Sequence, residues 1–182
     1  MKGNRLPERE RTFESGAKTM MKVEPQQEHH WLQRLVGEWT WESDAPMGPG
    51  EPPTKHTGAE SVRPLGSVWV LCEGRGESEG APEASGTTVM TLGYDPAKQR
   101  FVGTFVASMM THLWIYDGEL DPDGKALVLY AEGPSFTDPA KMAKYRDVIT
   151  LESDDHRVLT SNFQDDDGNW QEFMTAHYRR TK

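Results

Sequence analysis

Side chains able to carry out chemistry are few and widely spaced in this sequence. The single cysteine, Cys72, follows Val68 and Val70 on an apolar run, where a buried and unreactive thiol is expected. His29 and His30 are adjacent, so on a helix they point in different directions and cannot chelate one ion. We therefore predict no catalytic residue and no metal site.

A second set of side chains suits binding rather than catalysis. In the segment THLWIY, His112, Trp114 and Tyr116 alternate with Leu113 and Ile115, so the two sets lie on opposite faces of a strand. Rings with one polar edge are suited to line a barrel that holds a small, partly apolar ligand. We predict that the His112 face points inward. The predicted ligand-binding residues are Trp69, Phe105, His112, Trp114, Tyr116, Tyr130 and His177.

Segments that alternate between apolar and polar residues recur along the chain and predict β-strands. The turns at Asp95, Asp121 and Asp165 contain Asp-Pro or Asp-Gly pairs, which suit tight connections. Ten strands in this order predict an all-β antiparallel meander closed into a barrel, with a two-layer sandwich as the alternative. The predicted strands are Glu38–Glu42, Gly58–Arg63, Ser67–Glu73, Thr88–Tyr94, Arg100–Ala107, Thr111–Leu120, Ala126–Glu132, Tyr145–Glu152, His156–Gln164 and Trp170–Arg180.

Short helices are predicted at two places. Over Pro25–Val36, Leu32 and its apolar neighbours share one face, which indicates an amphipathic helix that packs against one end of the barrel. Gly37 is expected to end this helix in a left-handed cap and to let the chain turn into the first strand. A second helix of one or two turns is predicted in SFTDPAKMAKYR, with Asp138 as its N-cap and Pro139 as its first residue.

Composition limits the class of protein. A chain of 182 residues fits one domain, which we divide into a flexible extension at residues 1–24 and a single β-barrel domain at residues 25–182. The 20 basic and 29 acidic residues give a net charge of -9, which argues against nucleic-acid and anionic membrane partners. A single cysteine and the lack of an apolar run of about 20 residues fit a cytoplasmic location.

Several segments occur in an order and spacing that resemble a known family. They are LVGEWTWE, TLGYDPAKQRFVGTFV, YDGELDPDGKALVL, YRDVITLESDDH and DDDGNWQEFMTAHYRR. From Trp31 to Arg180 the chain resembles a bacterial family known only as domain of unknown function 1579. The resemblance implies a calycin-like barrel, in the wider group of lipocalins, fatty-acid-binding proteins and nitrobindins. It implies no established activity.

The resemblance also implies a structural role for the two ends of the barrel domain. In lipocalin-like barrels a Gly-x-Trp motif on the first strand places an indole across the base, where an arginine of the last strand stacks on it. The matching residues are Gly37 and Trp39 at the start and Arg179 or Arg180 at the end. We predict a cation–π contact between Trp39 and one of these arginines, the alternative being that both arginines are solvated.

His177 supports a second hypothesis. Nitrobindins bind haem through a histidine of a C-terminal strand, and MTAHYRR places His177 similarly, on one face with Phe173 and Thr175. A lone histidine on a strand more often serves packing. We therefore predict no cofactor and keep haem chemistry on nitrogen oxides or peroxynitrite as an alternative.

The preferred interpretation is a non-catalytic barrel that binds a small, partly hydrophobic molecule. One alternative is a hydrolase or isomerase with buried carboxylates such as Glu132 or Asp147, which should then converge in one cavity. Another is a structural or oligomeric module whose interior is filled by side chains. A homodimer through an exposed face of the sheet is a further expectation.

Overall fold

The computed structural model describes residues 23–46, 53–78, 81–136, 138 and 140–182, so residues 1–22 of the predicted extension lie outside it. In this part of the chain, one helix precedes ten strands, and all ten predicted strands are confirmed. The elements are α1 (Gln27–Gln33), β1 (Gly37–Pro46), β2 (Pro53–Leu65), β3 (Trp69–Ser78), β4 (Ala81–Asp95), β5 (Arg100–Ala107), β6 (Trp114–Leu120), β7 (Ala126–Pro134), β8 (Met142–Leu151), β9 (His156–Gln164) and β10 (Trp170–Arg180).

The ten strands close into one antiparallel barrel. Each strand pairs with its neighbours in the chain, and β1 also pairs with β10, where Trp39 lies opposite Arg180. Successive side chains of a strand point alternately into and out of the barrel. The predicted meander barrel is therefore confirmed, and the sandwich alternative is wrong.

Helix α1 closes the end of the barrel at which β1 begins, which we call the lower end. Leu32 is fully buried there. Trp31 Nε1 donates a hydrogen bond of 2.9 Å to the Gly124 carbonyl in the β6–β7 turn. His29 Nε2 lies 3.2 Å from the Tyr94 carbonyl oxygen at the end of β4. A helix this short is not stable alone, so these contacts with the strands hold it in place.

The helix is shorter than predicted, and Gly37 has a different role. α1 ends at Gln33 and has Arg34 as a right-handed C-cap, so it does not reach Val36. Gly37 instead begins β1 with a φ of +147°, which residues with side chains rarely adopt. A Cβ at this position would lie 2.8 Å from the Lys182 carbonyl oxygen. The predicted helix cap is therefore wrong, and glycine serves here to let the end of the chain pass closely.

The second predicted helix is wrong for the described residues between β7 and β8. The Asp138 carboxylate accepts a hydrogen bond of 3.1 Å from the Ala140 amide. The backbone carbonyl of Asp138 accepts a hydrogen bond of 2.9 Å from the Lys141 amide. These contacts form a turn, and Met142 follows directly as the first residue of β8, paired with β7. The residues from Met142 onward pair with β7, so they cannot form the predicted helix. Pro139 lies outside the described residues.

Trp39 lies at the centre of the lower end between two arginines. The Cζ atom of Arg180 is 4.2 Å from the centre of the Trp39 ring, and that of Arg157 is 4.6 Å from it. Trp39 Nε1 donates a hydrogen bond of 2.9 Å to the Leu35 carbonyl. Arg180 also donates to two carbonyls near the end of α1, one of them that of Arg34 at 2.8 Å. The indole thus joins β1, β9 and β10 to the helix.

We expect Arg180→Ala to lower the free energy of unfolding by about 2–4 kcal/mol, because it removes a cation–π contact and several hydrogen bonds to carbonyls. Arg179→Ala is the matched control. Arg179 is exposed on the outer face of the same strand, so its loss should cost less than about 0.5 kcal/mol. Urea denaturation followed by tryptophan fluorescence measures both values. Equal losses in the two variants would contradict the role given to Arg180.

Candidate ligand-binding site

The upper half of the barrel, away from α1, contains a cavity of about 410 Å³. In the lower half, buried side chains such as Trp39, Leu92, Phe101 and Leu127 fill the interior. The volume of the upper cavity lies within the range of small-molecule sites. Its lining includes the apolar residues Trp41, Met90, Phe105, Met109, Leu159, Phe173, Met174 and Ala176 and the polar residues Ser43, His56, Glu60, Thr88 and Tyr178.

A row of three glycines makes room for this cavity. Gly58 of β2, Gly76 of β3 and Gly86 of β4 are successive register partners, and Trp41 of β1 pairs with Gly58. A Cβ at Gly76 would lie 2.7 Å from the Trp41 ring, and one at Gly58 would lie 2.5 Å from it. The indole therefore rests on bare backbone, which keeps it against the wall and leaves the centre open.

A buried ion pair forms the floor of the cavity. Arg157 of β9 donates a hydrogen bond from Nη2 to Glu60 Oε1 of β2, and the two side chains are only 5% and 13% exposed. The Cζ atom of Arg157 lies 4.4 Å from the centre of the Tyr178 ring. Burial, reinforced by the charge of Glu60, raises the pKa of both Cys72 and Tyr178. Both groups are therefore protonated at neutral pH, and Cys72 is not a ready nucleophile.

A second carboxyl group extends this polar layer. Tyr116 donates a hydrogen bond of 2.5 Å to Asp147 Oδ2. Burial raises the pKa of Asp147, against the opposing effect of hydrogen bonds from Ser161 and Tyr116. Burial also raises the pKa of Tyr116 well above its usual value. The charges of Glu60 and Asp147 add to the effect of burial in raising the pKa of Tyr178.

Some of the residues predicted to bind a ligand do lie inside the barrel. Phe105 lines the cavity. Tyr116 is 5% exposed whereas Ile115 is 65% exposed, so the face of β6 that carries Trp114 and Tyr116 points inward. His112 lies just before β6, and its ring contacts that of Trp114 edge-to-face with 4.9 Å between centroids. Tyr116 belongs to the polar layer, Trp114 and His112 lie toward the upper rim, and none of the three lines the cavity.

Trp69 and Tyr130 lie on the outer face, so their predicted contact with a ligand inside the barrel is wrong. Trp69 of β3 covers the outer side of Gly93, where a Cβ would be 2.5 Å from its ring. Tyr130 of β7 follows the fully buried Leu129, and its ring centroid is 6.3 Å from that of Trp170. Alternation separates the two faces of a strand, but it does not identify the inner one.

His177 also points outward, so its predicted place among the ligand-binding residues is wrong. It is exposed and stacks on His156 with 5.5 Å between ring centroids, whereas the adjacent Tyr178 is buried. The register of β10 shifts at Phe173, which lines the cavity. This shift places Phe173 and His177 on different faces, contrary to the prediction. The haem alternative depended on a histidine inside the barrel, and His177 does not supply one.

The carboxylates named for catalysis do not converge. Glu132 is exposed on the outer face, whereas Asp147 belongs to the inner polar layer. The segment Gly76–Gly80 fits the Gly-x-Ser-x-Gly pattern of hydrolase nucleophiles, a match that sequence reasoning missed. There Ser78 ends β3 and Ala81 begins β4. The next described residue after Ser78 thus belongs to a strand, whereas a nucleophilic serine of this pattern is followed by a helix.

Sequence reasoning also missed three central residues of the site. Glu60 and Arg157 are 97 positions apart, so no local pattern pairs them. Trp41 was assigned only to a strand, without a place in the site. A usable signal lay in Gly74 and Gly76, which alternate on one face of β3, because glycine inside a strand often marks the close approach of a ring.

The fold and the cavity define a closed, ten-stranded antiparallel barrel whose upper interior has room for a small molecule. Residues 24–180 match the family described as protein of unknown function DUF1579, and the chain belongs to this family. The resemblance found in the sequence is thereby confirmed. A search of curated proteins finds no match.

Solved structures share the barrel. The S-type phycobiliprotein lyase CPES from Guillardia theta is 15% identical with a TM-score of 0.54, over 84% of this chain and 92% of its own. Rv2717c from M. tuberculosis is 10% identical with a TM-score of 0.60, over 87% of this chain and 100% of its own. At such identities the likeness shows the fold alone.

The described residues form no helix that is long and apolar enough to cross a membrane. They also contain no group of three or more histidine, cysteine, aspartate or glutamate side chains placed to hold a metal ion.

We expect the effect of Asp147→Asn on stability to depend on pH. Burial raises the pKa of Asp147 above its usual 3.8, so the folded protein binds more protons than the unfolded chain above about pH 4. The contribution of Asp147 to the free energy of unfolding of the wild type therefore falls as the pH rises above about 4. The amide of asparagine does not ionise, so the variant lacks this decrease.

The free energy of unfolding of Asp147→Asn relative to the wild type should accordingly rise between about pH 4 and pH 7, measured by urea denaturation. Asp166→Asn serves as the control, because Asp166 is exposed in the β9–β10 turn. A pH-independent difference for Asp147→Asn would show that burial does not govern its ionisation.

Proposed function

We propose that this protein binds a small, partly apolar molecule with a flat ring system in the upper half of its barrel. The observation that carries this proposal is the cavity of about 410 Å³, which has aromatic and methionine walls above a polar floor. A module without ligand would have a filled interior, and only the lower half is filled.

The walls favour a planar guest. Trp41 rests on the glycine row and also lines the cavity, so one side of its indole remains to stack on a ring. Phe105 and Phe173 line the same space from other strands. Met90 and Met109 complete the wall with unbranched, polarizable side chains that adapt to irregular shapes.

Met109 marks the mouth of the cavity. It is 61% exposed and follows β5 at the upper end. Its Cε lies over Gly86, which has no side chain to hold it. A flexible thioether in this position can move aside to admit a guest without disturbing the strands.

The fluorescent dye N-phenyl-1-naphthylamine tests this proposal. We expect saturable one-to-one binding with a Kd of roughly micromolar order. Thr88→Phe should weaken binding by about tenfold or more, because Thr88 lines the cavity and a phenyl ring would occupy it. Val89→Phe adds the same ring at the next position, which faces outward, and should leave the Kd unchanged.

The readout is dye fluorescence in a titration, with native mass spectrometry of the freshly purified protein to detect a bound small molecule. An absence of saturable binding by the wild type, or equal weakening in the two variants, would exclude the cavity as the binding site.

A further inference from the structure

We infer that the ligand of this cavity carries a hydrogen-bond donor, an N–H or O–H group, at its polar end. The floor at Glu60 selects such neutral or cationic molecules against carboxylates and sulfonates. This inference rests on the proposed function and deepens it by naming the chemical class of the ligand.

The carboxylate of Glu60 has one oxygen committed to the protein and one directed toward the cavity. Oε1 accepts the hydrogen bond of Arg157. Oε2 lies on the side of Gly74, where a Cβ would be 4.0 Å from it. Glu60, Gly74 and Thr88 all line the cavity, and Oε2 shares the space over Gly74 with the Thr88 hydroxyl oxygen, which lies 2.4 Å from the same Cβ position. A carboxylate oxygen accepts hydrogen bonds and donates none, so the group that meets it must be a donor.

The guanidinium of Arg157 does not line the cavity, although its Nε–H has no hydrogen-bond partner among the described residues. Arg157 is paired with Glu60 and lies 4.6 Å from the Trp39 ring and 4.4 Å from the Tyr178 ring. It therefore sits below the cavity, covered by these rings. Glu60 is already paired with Arg157, so the charge of an anionic guest would meet a carboxylate and no arginine or lysine pointing into the cavity. A buried charge without a partner is strongly disfavoured.

Other charged groups near the lining do not change this balance. Arg75 and Glu77 also belong to the lining, but both are exposed and alternate with the inward-facing Gly74 and Gly76, so their charged ends lie on the outer face. Burial raises the pKa of Asp147, which favours its neutral form. In either form this carboxyl group supplies no positive charge to attract an anion. The imidazole of His56 also lines the cavity, so Glu60 supplies the one inward-pointing carboxylate of the lining beside a histidine.

Three dyes of the same skeleton separate the two parts of the inference. N-phenyl-1-naphthylamine is neutral and has an N–H donor. 1-Phenoxynaphthalene replaces that N–H by an ether oxygen. 5-Anilinonaphthalene-1-sulfonate keeps a free N–H, because its sulfonate lies on the other ring, and adds a negative charge. We expect the wild type to bind the first dye about tenfold more tightly than either of the others, measured by fluorescence titration and by displacement.

Glu60→Gln identifies the origin of the preference. This variant leaves Arg157 without its carboxylate, so the affinity for the sulfonate relative to the amine should rise by about tenfold or more. Glu73→Gln is the matched control, because Glu73 lies on the outer face, where it accepts a hydrogen bond of 3.2 Å from Arg63. It should leave all three affinities unchanged.

If Glu60→Gln does not fold, the double variant Glu60→Gln/Arg157→Met removes both charges together, which buried pairs often tolerate. Its affinities for the three dyes should then agree within about threefold. Circular dichroism and cooperative unfolding verify that each variant is folded.

The outcomes are distinct. Equal binding of the three dyes by the wild type would overturn this inference and leave the proposed function standing. Tighter binding of the sulfonate by the wild type would also overturn it. Binding of none of the dyes would count against the proposed function itself.

Discussion

The position of Trp39 between Arg180 and Arg157 is the interaction on which the barrel depends. A meander closes only if its first and last strands meet, and bringing together distant parts of a chain costs entropy. The two guanidinium groups contact the indole at 4.2 and 4.6 Å, at the lower end of the β1–β10 pairing. Arg180 also donates to carbonyls near the end of α1. The same residue therefore stabilises the pairing of β1 with β10 and the packing of the helix against the lower end.

Arg157 connects this structural centre to the candidate site. One guanidinium contacts both Trp39 and Tyr178 and binds Glu60, so the stack below fixes the position of the cavity floor above. The barrel is divided at this level. Below it, aliphatic and aromatic side chains fill the interior, and above it the inner wall carries glycines and rings around open space. Stability and binding therefore occupy different halves of one fold.

Local patterns in the sequence are sufficient to predict the ten strands and the closed barrel, because alternation and turn residues act over a few positions. They do not identify the inner face, and Trp69 and Tyr130 are assigned to the wrong side for this reason. The register shift at Phe173 moves His177 outward and leaves no mark in the alternation. The Glu60–Arg157 contact depends on register around the whole barrel, which a local pattern does not contain.

The glycine row also determines how the wall moves. Glycine loses more conformational entropy on folding than any other residue, and Gly58, Gly76 and Gly86 lie side by side on three strands. The upper parts of these strands should therefore open locally more often than the lower end, which the two arginines stabilise. Their amide hydrogens should exchange with solvent earlier than those of the lower end. A guest stacked on Trp41 would slow that exchange first, so breathing of the wall and occupancy of the interior are thermodynamically linked.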